Sequence, residues 1–265
     1  MAPVINTISP TSGKAGDSLT ISGSGLGSLS TTKVNLGSKT VTPNLASNTS
    51  VTVTVPSGCS GQANLSVTVS GVNSNTKPFF FLGAPTVTAL TPSAGPATGN
   101  PAIDVFGSGF ATATLVSFGA VGSVAPASIV SDTHLTAVPP NHATPIAGCV
   151  DSVNVLVTSP GGQSVATGAP GQFEYYDAPS INTLTPNTGP AGTTGVIVDG
   201  DCFVGVTSVT LDDGVNPPTS ADNIQPIDVN TVVFAVPPAL ATGAYSVVVT
   251  TPGGPSNAVT FTVTP

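Results

Sequence analysis

Apolar and polar residues alternate along this chain in short β-branched runs, and Gly, Pro and Asn break the runs before any helical period is established. In the first third of the chain the alternation predicts strands near Val4–Ile8, Ser18–Ser22, Lys33–Leu36, Thr40–Thr42, Ser50–Val55, Ala63–Val69 and Pro78–Leu82. Strands at this spacing, filling roughly 85 residues, are the pattern of an immunoglobulin-like sandwich. The same alternation fixes which side chains face inward. Aligning the last strands of successive segments puts Phe79, Phe173 and Phe261 inside, with Phe81, Tyr175 and Val263 behind them. Phe80 then points outward.

The pattern repeats. Ile5-Asn-Thr-Ile8-Ser-Pro10-Thr-Ser-Gly13, Val87-Thr-Ala-Leu90-Thr-Pro92-Ser-Ala-Gly95 and Ile181-Asn-Thr-Leu184-Thr-Pro186-Asn-Thr-Gly189 are one phrase written three times. Such a return marks one small domain copied in series. It divides the chain at 1–84, 85–178 and 179–265. Later landmarks recur in step. Gly23-Ser-Gly25-Leu26 matches Gly107-Ser-Gly109-Phe110, with Gly200-Asp-Cys202-Phe203 as a looser version. Val34-Asn-Leu36-Gly37 matches Val116-Ser-Phe118-Gly119, and Val55-Pro56, Val138-Pro139 and Val236-Pro237 close the fifth strand. Ser159-Pro-Gly-Gly162 and Thr251-Pro-Gly-Gly254 turn the chain into its last strand, where the first repeat has Ser70-Gly71.

This succession of landmarks resembles the IPT/TIG family of immunoglobulin-like modules in its bacterial form, over nearly the whole length. The resemblance implies an all-β chain of three tandem Ig-like sandwiches. It does not imply one function, because the fold carries many. The joints are short: Phe81-Leu-Gly-Ala84 and Tyr175-Tyr-Asp-Ala178 run straight into the next first strand, and a proline follows each alanine. Joints of this kind predict a semi-rigid rod.

Composition narrows the picture. Charged residues are 6% of the chain, and Ser and Thr together make about a quarter, so the surface is mostly hydroxyl, amide and glycine. The net charge of −8 is unevenly distributed. Lys14, Lys33, Lys39 and Lys77 all lie in the first repeat beside a single acid, Asp17; the second and third repeats hold acids and no Lys or Arg. An acidic chain without arginine does not fit nucleic acid, whose phosphates need basic partners. The start, Met1-Ala2-Pro3-Val4, lacks the basic and apolar regions of a signal peptide, and the apolar run Phe79–Leu82 is far short of a membrane span. The expectation is a mature segment, or a protein exported by another route, placed outside a cell or on a virion.

For chemistry the inventory is thin. His134 and His142 are read as ordinary exposed histidines, since no motif sets a base beside a nucleophile. Asp199, Asp201, Asp212 and Asp213 offer oxygens, but without a calcium-loop spacing they are read as solvated carboxylates. Neither a metal nor a cofactor is expected. Cys59 and Cys149 occupy matching places, and Cys202 sits elsewhere in its repeat. Matching places in successive modules are a domain length apart, so the thiols are expected small, buried and unbridged, with pairing between chains as the alternative.

The expected function is non-enzymatic: self-association into a homo-oligomer or larger assembly, or attachment to a cell wall, host surface, capsid or tail. The alternative is an adhesin-type ligand- or carbohydrate-binding module, or an accessory part of a polysaccharide-degrading enzyme. The candidate interface residues are the outward apolar Phe80, Leu156 and Val248, the last two aligned with Thr68, together with Lys14, Lys33, Lys39 and Lys77.

Overall fold

The computed structural model describes residues 2–57 and 61–265. Among these residues there is no α-helix, and each third of the chain forms two facing sheets. In the first module one sheet runs Val4–Ser9, Ser18–Ser24, Ser50–Thr54 and Leu45–Ala46, all antiparallel. The other runs Ser12–Gly13, Lys77–Phe81, Gly61–Val69, Thr32–Leu36 and Lys39–Val41, with Val72–Asn73 also paired to Gly61–Val69. The second and third modules repeat this order strand for strand. All seven predicted strands of the first module are present. Ser12–Gly13, Leu45–Ala46 and Val72–Asn73 are additions, too short to show a period.

In each module the first strand begins in the four-stranded sheet and crosses to the other, where its continuation pairs in parallel with the last strand. The peptide bonds before Pro10, Pro92 and Pro186, at that crossing, are cis. Each module has its own core. Phe79, Phe173 and Phe261 are fully buried at its centre, and Leu26, Phe110 and Phe203 are buried after the glycine-bearing turn that precedes them. A buried side chain of this size contributes about 2–3 kcal/mol of hydrophobic stabilisation. Three such cores make the fold a series and not one enlarged sandwich.

Candidate functional site

The landmarks with chemical consequence gather at the joints. Where the second module leads into the third, the strand Gln172–Tyr176 runs through Asp177 and Ala178 directly into Ser180–Thr185. The linker lies against the turn Thr251-Pro-Gly253-Gly254. A Cβ on Gly253 would stand 2.0 Å from the Asp177 carbonyl oxygen, so only glycine permits the approach. Thr251, itself buried, holds that turn by accepting the Gly253 N–H at its hydroxyl, 3.1 Å. The first joint is built alike: a Cβ on Gly161 would meet the Gly83 carbonyl oxygen at 1.9 Å, and Ser159 Oγ accepts the Gly161 N–H. Proline-glycine-glycine is therefore a seat for the preceding linker.

The second joint is also cross-linked. Cys149 and Cys202 form a disulfide, with S–S 2.03 Å and Cα–Cα 5.4 Å, across the module boundary. This corrects the expectation of unbridged thiols for these two residues; Cys59 lies outside the described residues. The physical reason is that facing ends, not matching places, come together in a series. Cys149 precedes Val150–Ser159 at the far end of the second module, and its carbonyl accepts the Asp177 N–H. Cys202 sits at the near end of the third, in the position that Gly25 and Gly109 hold in the other modules. All three take left-handed backbone, with φ of 60° at Cys202, 67° at Gly25 and 75° at Gly109. A Cβ at Gly109 would stand 3.2 Å from Pro85 Cα, so the position faces the incoming linker. A side chain there reaches the joint.

The loop carrying Cys149 is pinned to the linker by side chains. Asp177 is 7% exposed, and its Oδ2 accepts the Ile146 N–H while Oδ1 has no protein partner. The main-chain N–H of His142 donates to the Ala97 carbonyl. The His142 ring has an acceptor at each nitrogen: the Ala143 carbonyl at Nδ1, 2.6 Å, and Asp151 Oδ2 at Nε2, 2.9 Å. Only the imidazolium can donate to both. Its pKa is raised above 6.5, first by the Ala143 carbonyl; burial opposes this, and Asp151 and then Asp177 reinforce it. Beside the cross-link lies an open cleft of about 560 Å³ bordered by Pro96, Thr98, Thr144, Pro145, Asp177 and Cys202.

Neither histidine is an ordinary exposed one. His142 is half-buried as described. His134 is half-buried too, bonded to Asp104 Oδ1 at 2.7 Å and stacked on Phe106 at 4.7 Å. Each pairs a ring with a carboxylate. The four aspartates separate. Asp199 and Asp201 bond Thr183, Asn182 and Asn230 in the four-stranded sheet; Asp212 and Asp213 fold a loop on the other sheet. The Asp213 carboxyl is held below its ordinary value by the N–H groups of Asn216 and Val215 and the Asn216 side chain. Among the described residues no three His, Cys, Asp or Glu could hold a metal.

The candidate interface residues are dispersed. Phe80 is 49% exposed on the outer face of the six-stranded sheet, opposite Gln62 and Ser12. Lys33 lies on the same face but opposite Thr68, six residues along the same strand, about 20 Å away. Lys14 and Lys39 are exposed, and Lys77 is half-buried opposite Leu65. Leu156 and Val248 are half-buried, opposite Ser117 and Thr210. The ladders align them with Ser66, not Thr68: Thr68, Thr158 and Thr250 are the true equivalents, each paired with the short strand after the turn. The face is the one expected, but the alignment was two residues out.

No curated protein matches the chain. Solved structures similar to it include a protein determined with a xylogluco-oligosaccharide (18% identity, TM-score 0.45, covering 98% of this chain and 60% of that one). The extracellular region of plexin A4 matches at 14% identity and TM-score 0.38, over 93% of this chain and 22% of that one. The Escherichia coli adhesin FdeC matches at 11% identity and TM-score 0.39, with both chains covered in full. The chain thus spans 60% and 22% of the first two. By sequence the IPT/TIG domain matches three times, over residues 3–81, 85–175 and 179–263, and the chain belongs to that family.

Proposed function

We propose that this chain is a non-enzymatic, extracytoplasmic attachment protein of the adhesin type, in which successive Ig-like modules hold a ligand-binding surface at a fixed reach. The observation that carries the reading is the cross-linked joint. A disulfide persists where the surroundings are oxidising, which favours a place outside the cytoplasm. It ties two modules to each other and leaves each core as it was, so it serves mechanical continuity along the chain. Catalysis would instead need a nucleophile, a base and an oxyanion donor to converge. The test is saturable binding of the oxidised chain to whole cells and to an array of cell-wall and plant glycans, with hydrolysis followed in parallel. Saturable binding without turnover supports attachment, and turnover dependent on His134 or His142 would overturn it.

A second reading, self-assembly, is favoured by the charge distribution. The first module sums to about +3, the second to −5 and the third to −6, and no lysine forms an ion pair among the described residues. Unlike modules of neighbouring copies attract each other, which orients assembly and speeds encounter. Light scattering in dilute buffer at low and high salt separates the readings: growing particles at low salt support assembly, and a monomer throughout supports attachment alone.

A further inference from the structure

The four-stranded sheet of every module ends in an edge strand, and the three edges are not alike. In the first module it is the two-residue Leu45–Ala46. In the third it is Asp222–Asp228, which carries a charge at each end, Pro226 within it and two irregularities in its ladder. Shortness, charge, proline and bulges are the means by which sheets keep free edges from pairing with other chains. The second module's edge, Ser128-Ile129-Val130-Ser131, is twice as long as the first module's and has one irregularity against the third's two, and it carries no charge and no proline, with all four residues exposed. It pairs inward through Ser128, Ile129 and Ser131, and the irregularity leaves Val130 out of the ladder; Ile129 and Val130 are 41% and 59% exposed. Phe106, 36% exposed, lies two strands further in, beyond His134–Ala137.

The surroundings of this edge are acidic. Asp132 follows it directly, its carboxylate accepting the Gly109 and Ala111 N–H groups, and Asp104 lies across the adjacent strand. The module contains no lysine or arginine. Complementary charge exists on one other edge of the same chain. Lys39–Val41 ends the six-stranded sheet of the first module, with Lys39 and Thr40 exposed.

We propose that Ser128–Ser131 is a docking edge for a second copy of this chain, taken up by the Lys39–Val41 edge of that copy's first module. Main-chain N–H and C=O groups of the two edges pair and join the sheets. Lys39 meets the Asp132 carboxylate beside the acceptor edge, while Ile129 and Val130 cover apolar surface. Pairing of Ser128–Ser131 with itself would instead bring two modules of charge −5 together, which repulsion opposes. The contact joins unlike surfaces, so each copy keeps one donor and one acceptor edge free and the assembly grows. This inference rests on the assembly reading and names its surface.

The test is sedimentation velocity of the full chain across a concentration series, with Lys39→Glu and Val130→Lys variants. Both side chains are exposed, and circular dichroism checks that each variant keeps its fold. Each variant alone is expected to weaken association by about tenfold or more. Mixing the two restores a one-to-one complex, because the unaltered acceptor of the Lys39→Glu chain meets the unaltered donor of the Val130→Lys chain. Loss of association in Val130→Lys with Lys39→Glu unaffected would overturn the donor assignment in favour of like edges pairing. Assembly indifferent to both variants would overturn the inference and leave the assembly reading standing. A wild type that stays monomeric overturns both.

Discussion

Removing the cross-link by Cys149→Ser with Cys202→Ser should selectively weaken the third module. The bond closes a loop over a sequence separation of 53 residues. If both modules unfolded together, the lost loop-closure entropy would amount to about 4 kcal/mol. If the third unfolds while the second stays folded, the freed chain runs only from the linker to Cys202, roughly 24 residues, which gives about 3 kcal/mol. A module of this size shifts its melting temperature by about 4–8 °C per kcal/mol, so a fall of roughly 15 °C is expected. Differential scanning calorimetry of the oxidised, reduced and double-serine proteins measures it. The first module shares no bond with the cross-link and serves as the internal reference. If the third module's transition stays within about 2 °C of the oxidised protein, or the first module moves as far, the closed loop is not what stabilises the joint.

Three further outcomes follow from the same region. His142 has a pKa raised by the Ala143 carbonyl and Asp151, so its contribution is complete below about pH 6.5 and is lost as pH rises through the higher folded value; the second module's melting temperature should fall across that window, and His142→Gln should flatten the profile. A profile unchanged by the substitution would refute that account. Gly253→Ala puts a Cβ onto the Asp177 carbonyl and should broaden the distribution of inter-module distances in small-angle scattering while each core still melts cooperatively; Gly161→Ala should do so at the first joint. Tyr175 is fully buried with no protein partner for its hydroxyl, and burial pushes its pKa far upward. The first module has Phe81 at that place, so Tyr175→Phe should stabilise the second module by about 1 kcal/mol in urea unfolding, and a loss of that size would contradict it.

Much of the fold was legible because its signals are local and repeated. Alternation over five or more residues separates inside from outside, so Phe79, Phe80 and Phe81 were assigned their faces from the sequence alone. Two-residue edge pieces such as Ser12–Gly13 carry no period, and their pairing depends on where another strand ends. Leu156 and Val248 were misaligned by two residues because a shift of two preserves the face, and the hydrophobic pattern cannot detect it. The histidines escape the sequence because their partners lie on other elements: sheet register sets Asp104 beside His134, and the folding back of the loop before Val150–Ser159 sets Asp151 beside His142.

The cross-link was hidden by the repeat itself. Aligning modules places Cys149 beside Cys59 and invites the conclusion that equivalent positions are too distant to bridge. That premise is sound, but a joint is made from inequivalent positions, the last loop of one module and the first turn of the next. The informative mark was the departure at Cys202, where the other repeats have glycine. Left-handed backbone costs a side chain about 1 kcal/mol or more, so a cysteine there needs a compensating bond. The turn beside it faces the segment leading into the module's first strand, as Gly25 against Pro3 and Gly109 against Pro85 show. A cysteine at a glycine's place, on the side of a module that meets its neighbour, is therefore the residue from which an inter-module bond could be inferred. The first joint has glycine at that place, and its linker is seated against Gly161. Among the described residues the second joint is the one fixed covalently, which holds the second and third modules in one register with each other.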